Sequence, residues 1–168
     1  MGVGRSPVEP MPRIEIDIDS PLAPERIRAA LIDFSERRPE RWPGLNPKEY
    51  RVYAVGDTWA EVREGNGGPI WARERYDWSR PGNVTWTVLE SGFSKPGSYV
   101  SVDLTPRPGG GSHLHLVWNR RPSSFLGWIV MRIIALVRGR PVRSSMQAGL
   151  DRLESEARTE SERGAFRP

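Results

Sequence analysis

Turn signals recur about every ten residues between positions 50 and 119. Glycine, proline, asparagine and aspartate cluster at Gly56-Asp57 and in the runs NGGP, RPGN, KPGS and RPGGGS. Between these turns lie short runs rich in β-branched and aromatic residues: YRVYAV, TWAEVRE, IWARERYDW, VTWTVLE, SYVSVDLT and SHLHLVWN. Short strand-like runs joined by tight turns are typical of an antiparallel meander. The middle of the chain therefore predicts six consecutive antiparallel strands.

The segment before this meander predicts one more strand and two short helices. In RIEIDIDS, the isoleucines Ile14, Ile16 and Ile18 alternate with acidic residues, and a period of two indicates a half-buried strand. In PLAPERIRAALIDF, Pro24 suits a first helical position and apolar residues follow at helical spacing. The run RRPERWPGLNP has too much proline for a long helix, so one short helical turn is expected around Trp42.

The C-terminal part is predicted to be helical. Ser123 or Ser124 can cap a helix that begins at Phe125, and an apolar stripe continues far beyond it. Gly139 and Pro141 interrupt this helical stretch, because proline lacks an N–H and clashes with the preceding turn. The predicted fold class is α+β, with a seven-stranded curved antiparallel sheet wrapped around a long C-terminal helix and two short helices after the first strand.

Length and composition suit a single globular domain. The chain has 168 residues, and we place the domain at 13–160, with a disordered tail at 1–12 and a frayed tail at 161–168. It has no cysteine, which excludes disulfides, thiolate metal sites and cysteine nucleophiles. The net charge is +4, but the arginines are scattered among acids and no nucleic-acid-binding motif is present. We therefore expect a cytoplasmic protein, with the membrane surface as an alternative location, and no nucleic-acid partner.

The predicted elements and several motifs resemble the SRPBCC superfamily, whose helix-grip fold is shared by START lipid-transfer domains, pollen allergens and polyketide cyclase-like proteins. The resemblance spans roughly residues 13 to 157 and rests on IEIDIDSPLAPERIRAAL, RWPGL, YDWSRPGNVTWTV, PGGGSHLHLVWN and GLDRLESEA. These motifs are most similar to the polyketide cyclase/dehydrase-like branch. The resemblance implies a deep apolar cavity between the sheet and the last helix, which holds a lipid-like, polyketide-like or aromatic molecule. The resemblance assigns no catalytic residues to this chain, because proteins that share a fold have different functions.

The residues expected to line such a cavity are mainly large and apolar. Tryptophan is flat and amphipathic, and the chain has seven tryptophans that serve either a ligand site or an ordinary core. The predicted ligand-binding residues are Phe34, Trp42, Glu74, Tyr76, Trp78, Trp86, Val102, Leu116, Trp118, Trp128, Met131 and Arg132. His113 and His115 have metal-compatible spacing but no evident third ligand, so no metal and no cofactor are expected.

Three of these positions, Glu74, Tyr76 and Arg132, are candidates for acid–base chemistry. In IWARERYDW, one face carries three charged residues and should meet water, which directs Glu74 and Tyr76 inward. A carboxylate in an apolar cavity has a raised pKa and can serve as a general acid or base. The alternative is a glutamate at the cavity mouth or one paired with an arginine. Arg132 points into the cavity if the last helix is continuous, and towards solvent if the helix is kinked at Pro141.

The apolar run from residue 125 to 137 is too short to cross a bilayer, since a span needs about 20 residues. A helix that only caps a cavity needs a single apolar face, so something should cover its remaining side chains. Three possibilities remain open for what covers these side chains: the chain's own loops, a homodimer partner, or an anionic membrane surface that contacts residues 125–140 between flanking arginines.

The leading functional hypothesis is the binding of a hydrophobic small molecule, for transport or sequestration. An alternative is an aromatase/cyclase-type enzyme in which Glu74, Tyr76 and Arg132 carry out acid–base work on a polyketide-like substrate. A further alternative is a peripheral membrane lipid carrier that uses residues 125–140 as its gate.

Overall fold

A computed structural model describes residues 13–165, so the predicted tail at 1–12 lies outside the described residues. The elements in chain order are β1 (Ile14–Ser20), α1 (Pro24–Leu31), α2 (Arg38–Arg41), β2 (Arg51–Val55), β3 (Trp59–Gly67), β4 (Ile70–Asp77), β5 (Asn83–Ser91), β6 (Tyr99–Pro106), β7 (Ser112–Asn119), α3 (Phe125–Leu136) and α4 (Arg140–Ala165). The predicted order of strands and early helices is confirmed. The C-terminal helical stretch consists of two helices, and α4 continues past the predicted boundary at residue 160.

The seven strands form one antiparallel sheet in the order β1-β7-β6-β5-β4-β3-β2. The first strand pairs with the last, so that Ile14 lies opposite Trp118 and Ser20 opposite Ser112. Register shifts interrupt the pairing of β2 with β3, β3 with β4, and β4 with β5. Such bulges bend a strand and increase its twist, which helps the sheet to curve around the C-terminal helix.

Period-two alternation directs the apolar side chains of the sheet to its inner face. In β1, the isoleucines are buried while the acidic residues between them are exposed. The helix α1 packs over β5 and β6, and the α4 residues Met146, Leu150 and Leu153 complete the core. The predicted curved sheet around a long C-terminal helix is therefore confirmed.

The break between α3 and α4 lies at Gly139. Arg138 and Gly139 both have positive φ angles, of 51° and 70°. The Gly139 N–H donates a hydrogen bond of 2.9 Å to the carbonyl of Ile134 and closes the end of α3. A Cβ at this glycine would lie 2.6 Å from Ile14 Cγ2, so the residue also permits close approach to β1. Because the right-handed helical conformation is broken at these two residues, the two helices have independent phases.

Candidate ligand cavity

A cavity of about 440 Å³ lies between the inner face of the sheet and the helices α2, α3 and α4. Small-molecule sites have volumes of about 300–1,000 Å³, so this space suits a compact ligand. The apolar part of its wall includes the side chains of Trp71, Phe93, Val130, Ile134, Val142 and Met146. The exposed lining residues Asn66, Pro141 and Ser145 mark where the cavity meets the surface.

Half of the predicted ligand-binding residues form the wall of this cavity: Trp42, Glu74, Tyr76, Trp86, Leu116 and Trp118. Phe34, Trp78 and Val102 do not line it. Val102 is fully buried, and Phe34 stacks on Trp78 with ring centroids 5.8 Å apart. These three side chains point inward as predicted. However, α1 packs over β5 and β6, so the space around them is filled by other core side chains.

The prediction for α3 is corrected by its observed orientation. Arg132 is exposed, and its guanidinium lies 5.5 Å from the ring centroid of Trp128, which is itself 44% exposed. Met131 is fully buried in the core rather than in the cavity wall. The assignment of these residues to the cavity followed the alternative of a continuous helix, whereas the interruption at Gly139 matches the other alternative, in which Arg132 points to solvent.

Glu74 lies at the centre of the polar part of the wall. This residue is 3% exposed, and its Oε1 accepts a hydrogen bond of 2.5 Å from Arg120 Nη2. Burial raises the pKa of the Glu74 carboxyl above its usual range, and the Arg120 charge partly opposes this shift. The predicted inward direction of Glu74 and Tyr76 is confirmed, and the glutamate is paired with an arginine other than Arg132.

Arg120 is the charged donor on this side of the cavity. It is 8% exposed, and its guanidinium lies 5.6 Å from the ring centroid of Phe93. Its Nη1 is buried and has no hydrogen-bond partner among residues 13–165. A buried donor without a partner is uncommon and costs about 1–3 kcal/mol, so this atom offers a ready contact to an acceptor on a ligand.

A second buried polar network lies at the edge of the cavity and is internally satisfied. Arg38 Nε donates to Glu64 Oε1 at 2.5 Å, and its Nη2 donates to the Tyr76 hydroxyl at 3.1 Å. Its Nη1 donates to the carbonyl of Leu31 at 2.8 Å, and the Tyr76 hydroxyl donates to Glu64 Oε2 at 2.8 Å. Burial raises the pKa of Tyr76 well above its usual range, so its hydroxyl stays protonated. This network holds α2 against the sheet and fixes one wall of the cavity.

Three charged residues of the wall were missed by the sequence reasoning: Arg38, Glu64 and Arg120. The alternation of inward and outward side chains along a strand indicates two of them. Arg120 follows Trp118 by two positions, and Glu64 follows the buried Val62 in the same way. Arg38 lies in a helix of a single turn, whose pattern is too short to indicate an inner face.

No family model matches the chain, and no curated protein sequence matches it either. Solved structures do match it. A protein from Thermus thermophilus superposes with a TM-score of 0.69 at 15% identity, covering 86% of this chain and 99% of that one. The Zhui aromatase/cyclase from Streptomyces sp. R1128 gives a TM-score of 0.68 at 13% identity, covering 87% and 95%. A START superfamily protein from Mycobacterium smegmatis gives 0.67 at 12% identity, covering 85% and 97%. At these identities the matches establish the fold alone, and the chain has the helix-grip fold that its resemblance to the SRPBCC superfamily predicts.

Proposed function

We propose that this protein binds a hydrophobic small molecule, of lipid or polyketide-like character, whose one polar group is an anionic or carbonyl oxygen. The observation that carries the proposal is the buried Nη1 of Arg120, which has no hydrogen-bond partner among the described residues and lies beside a mainly apolar cavity. An oxygen on the ligand satisfies this donor, and a charge-assisted hydrogen bond of this kind is stronger than a neutral one. The aromatic wall then takes up the apolar body of the ligand.

The position of the ion pair supports the same ligand chemistry. Glu74 occupies only part of the hydrogen-bonding capacity of Arg120, since their contact uses Nη2 alone. An arginine fork can therefore contact the glutamate and a ligand oxygen at the same time. A ligand with no acceptor leaves Nη1 buried without a partner, and this lowers its affinity.

Two fluorescent probes with nearly the same aromatic body test this proposal. Anilinonaphthalene sulfonate carries an anion, and phenylnaphthylamine does not. Wild-type protein is expected to bind both, and Arg120→Met is expected to weaken the sulfonate about tenfold while the neutral amine changes little. The matched control is Arg121→Met, since Arg121 is exposed and donates to the carbonyl of Pro96.

Circular dichroism of each variant confirms that the fold is kept. Failure of wild-type protein to bind either probe contradicts the cavity proposal. An equal loss for both probes in Arg120→Met contradicts the role given to the guanidinium.

A second candidate function is proton abstraction next to a carbonyl, as in an aromatase/cyclase-type reaction. The favouring observation is a cavity-lining carboxyl with a raised pKa, and an enzyme of that name shares the fold. Here Glu74 takes the proton and Arg120 stabilises the resulting enolate oxygen, while Arg132 is exposed and does not line the cavity. The Tyr76 hydroxyl is already engaged by Glu64 and Arg38.

Hydrogen–deuterium exchange at the α-carbon of an aromatic β-diketone, followed by NMR, tests this second function. Wild-type protein is expected to accelerate the exchange, and Glu74→Gln is expected to abolish the acceleration while the diketone still binds. Exchange that survives in Glu74→Gln would rule out the glutamate as the base.

A further inference from the structure

One side of α3 is apolar and exposed to solvent. Gly127 and Met131 face the protein body, and Val130 and Ile134 line the cavity. The outer face of α3 is defined here by the large exposed side chains of the helix and of its C-cap residue Val137, with Phe125 and Leu136 each 77% exposed: Phe125, Leu126, Trp128, Ile133, Leu136 and Val137. Within residues 13–165 the chain's own loops do not cover this face, which removes one of the three covers considered from the sequence.

The charged residues within α3 and next to it in the sequence have one sign. Five exposed arginines flank it or lie on the helix: Arg121, Arg132, Arg138, Arg140 and Arg143. The sequence from Leu104 to Leu150 contains no aspartate or glutamate. An exposed apolar surface whose neighbouring charges in the sequence are all cationic complements a surface that is apolar inside and anionic outside.

We propose that the outer face of α3 docks on the surface of an anionic phospholipid bilayer, with the helix lying in the plane of the interface. Residues buried in this position recover the hydrophobic stabilisation that they forgo in water, and each nearby arginine adds about a factor of five in affinity. A helix of 12 residues is about 18 Å long, which suits an interfacial position and not a span. None of the described helices is long and apolar enough to cross a membrane.

A second copy of the chain fits this face less well. In a two-fold dimer through α3, arginines at the helix ends meet arginines of the partner, because this part of the sequence supplies no acid to oppose them. Like charges brought together at an interface oppose association. The charge distribution therefore favours lipid head groups as the occupant.

The same helix separates the proposed bilayer contact from the cavity. Val130 and Ile134 line the cavity, while Phe125 and Leu136 point to solvent. A ligand dissolved in the bilayer therefore reaches the cavity past a single helix. This route of ligand uptake rests on the proposed function, whereas the docking itself does not.

Flotation with lipid vesicles tests the docking. Wild-type protein is expected to bind vesicles of equal parts phosphatidylcholine and phosphatidylserine, and to bind pure phosphatidylcholine at least tenfold more weakly. The double variant Phe125→Ser/Leu136→Ser is expected to lose at least about tenfold in binding to the anionic vesicles. The matched control is Val55→Ser/Leu89→Ser, which removes exposed apolar side chains from the sheet and is expected to bind like wild type.

The arginines are tested separately. Arg138→Gln/Arg140→Gln is expected to weaken binding to anionic vesicles by about tenfold or more and to remove most of the preference over phosphatidylcholine. Raised salt is expected to act in the same direction on wild-type protein.

Two flotation results overturn the docking: wild-type protein that does not float with anionic vesicles, or a Phe125→Ser/Leu136→Ser variant that floats like wild type. A third result would also overturn it, namely a wild-type dimer in light scattering that becomes monomeric in this variant, together with no binding to vesicles. The probe assay on Phe125→Ser/Leu136→Ser keeps the two proposals apart, because neither side chain lines the cavity. Retained probe binding with lost flotation supports docking through α3. Flotation by a protein that binds neither probe leaves the docking standing and removes the cavity function.

Discussion

The buried pair of Glu74 and Arg120 makes stability depend on pH. Burial raises the pKa of Glu74 above its ordinary value of 4.5, so the folded chain holds this proton more tightly than the unfolded chain does. The contribution of Glu74 to folding is therefore most favourable below the unfolded pKa and declines as the pH rises through the folded pKa. Arg120 limits that decline, since it compensates the carboxylate once the proton has left.

Removing Arg120 is expected to increase this pH dependence. Arg120→Met leaves a buried carboxylate without its partner and should lower the free energy of unfolding by about 3 kcal/mol at neutral pH. The loss should be smaller near pH 4, about the ordinary pKa of a glutamate, where Glu74 takes up a proton. Urea denaturation of wild type and variant at both pH values measures the difference.

The control for this prediction is the double variant Glu74→Gln/Arg120→Met, in which the extra loss at neutral pH should disappear. An Arg120→Met variant that is destabilised equally at both pH values would show that Glu74 is not responsible.

At the scale of elements, the pairing of β1 with β7 places acidic residues against histidines on the outer face of the sheet. Asp19 lies opposite His113, and its Oδ1 is 2.8 Å from the Nδ1 of that ring. Hydrogen bonding to Asp19 raises the pKa of His113 above 6.5, with a further contribution from Asp17. This stabilisation is fully present below the unfolded pKa of the histidine and is lost as the pH rises through the folded pKa.

Asp19→Asn is expected to lower the pKa of His113 towards 6.5, because the charged acceptor that stabilises the imidazolium is removed. NMR titration of the imidazole protons measures this directly. Asp151→Asn, on exposed helical surface, serves as the control and should leave the titration unchanged. An unshifted His113 pKa in Asp19→Asn would contradict the cross-strand interaction.

The connection from α3 to α4 depends on Gly139 for two separable reasons, its positive φ and its closeness to β1. Gly139→Ala is expected to destabilise the protein both through left-handed strain and through a Cβ lying 2.6 Å from Ile14 Cγ2. Gly109 also has a positive φ, of 86°, but within the described part of the chain a Cβ there meets nothing within 4 Å. Gly109→Ala should therefore cost about 1 kcal/mol and Gly139→Ala about 1–3 kcal/mol more, as measured by urea denaturation. An equal loss of stability in the two variants would show that the structure accommodates the added Cβ next to Ile14 without further cost.

This connection also marks a limit of prediction from sequence. Gly139 and Pro141 indicate an interruption, and the structure confirms one. The direction of the chain after an interruption depends on what the next helix packs against, which local sequence does not contain. The two directions left open for Arg132 could therefore not be decided from the sequence. The helix that holds it packs through Gly127 and Met131, and Arg132 is exposed.

At the scale of the whole molecule, most of the fold could be predicted from the strand pattern, because the alternation of side chains with a period of two is a direct consequence of strand geometry. The cavity itself was implied by the resemblance and not by any pattern. Trp86 lies in β5 and Trp78 directly follows β4, and both point to the inner side of the sheet, yet only Trp86 reaches the cavity. The difference comes from α1, which fills one part of the inner face and leaves the other open, and this is a property of the assembled layers.

An unfilled cavity lowers the free energy of unfolding, so filling part of it with a larger side chain tests the cavity in the whole protein. Ala72 is buried and lines the cavity, so Ala72→Leu is expected to add apolar contacts and raise the free energy of unfolding by about 1–2 kcal/mol. The same variant should bind both naphthalene probes more weakly. Ala60→Leu is the matched control, since Ala60 is fully buried outside the cavity wall and the larger side chain should destabilise by about 1–3 kcal/mol. Urea denaturation that shows both variants equally destabilised would mean that the space at Ala72 is not free.

The pairing of Ile14 with Trp118 has a consequence for how the protein is made. About a hundred residues separate these two partners, so β1 completes its hydrogen bonds only after the ribosome has added β7. At translation rates of about 5–20 residues per second, the three isoleucines of β1 stay unsheltered for on the order of ten seconds. The acidic residues that alternate with them keep the nascent segment charged throughout that interval.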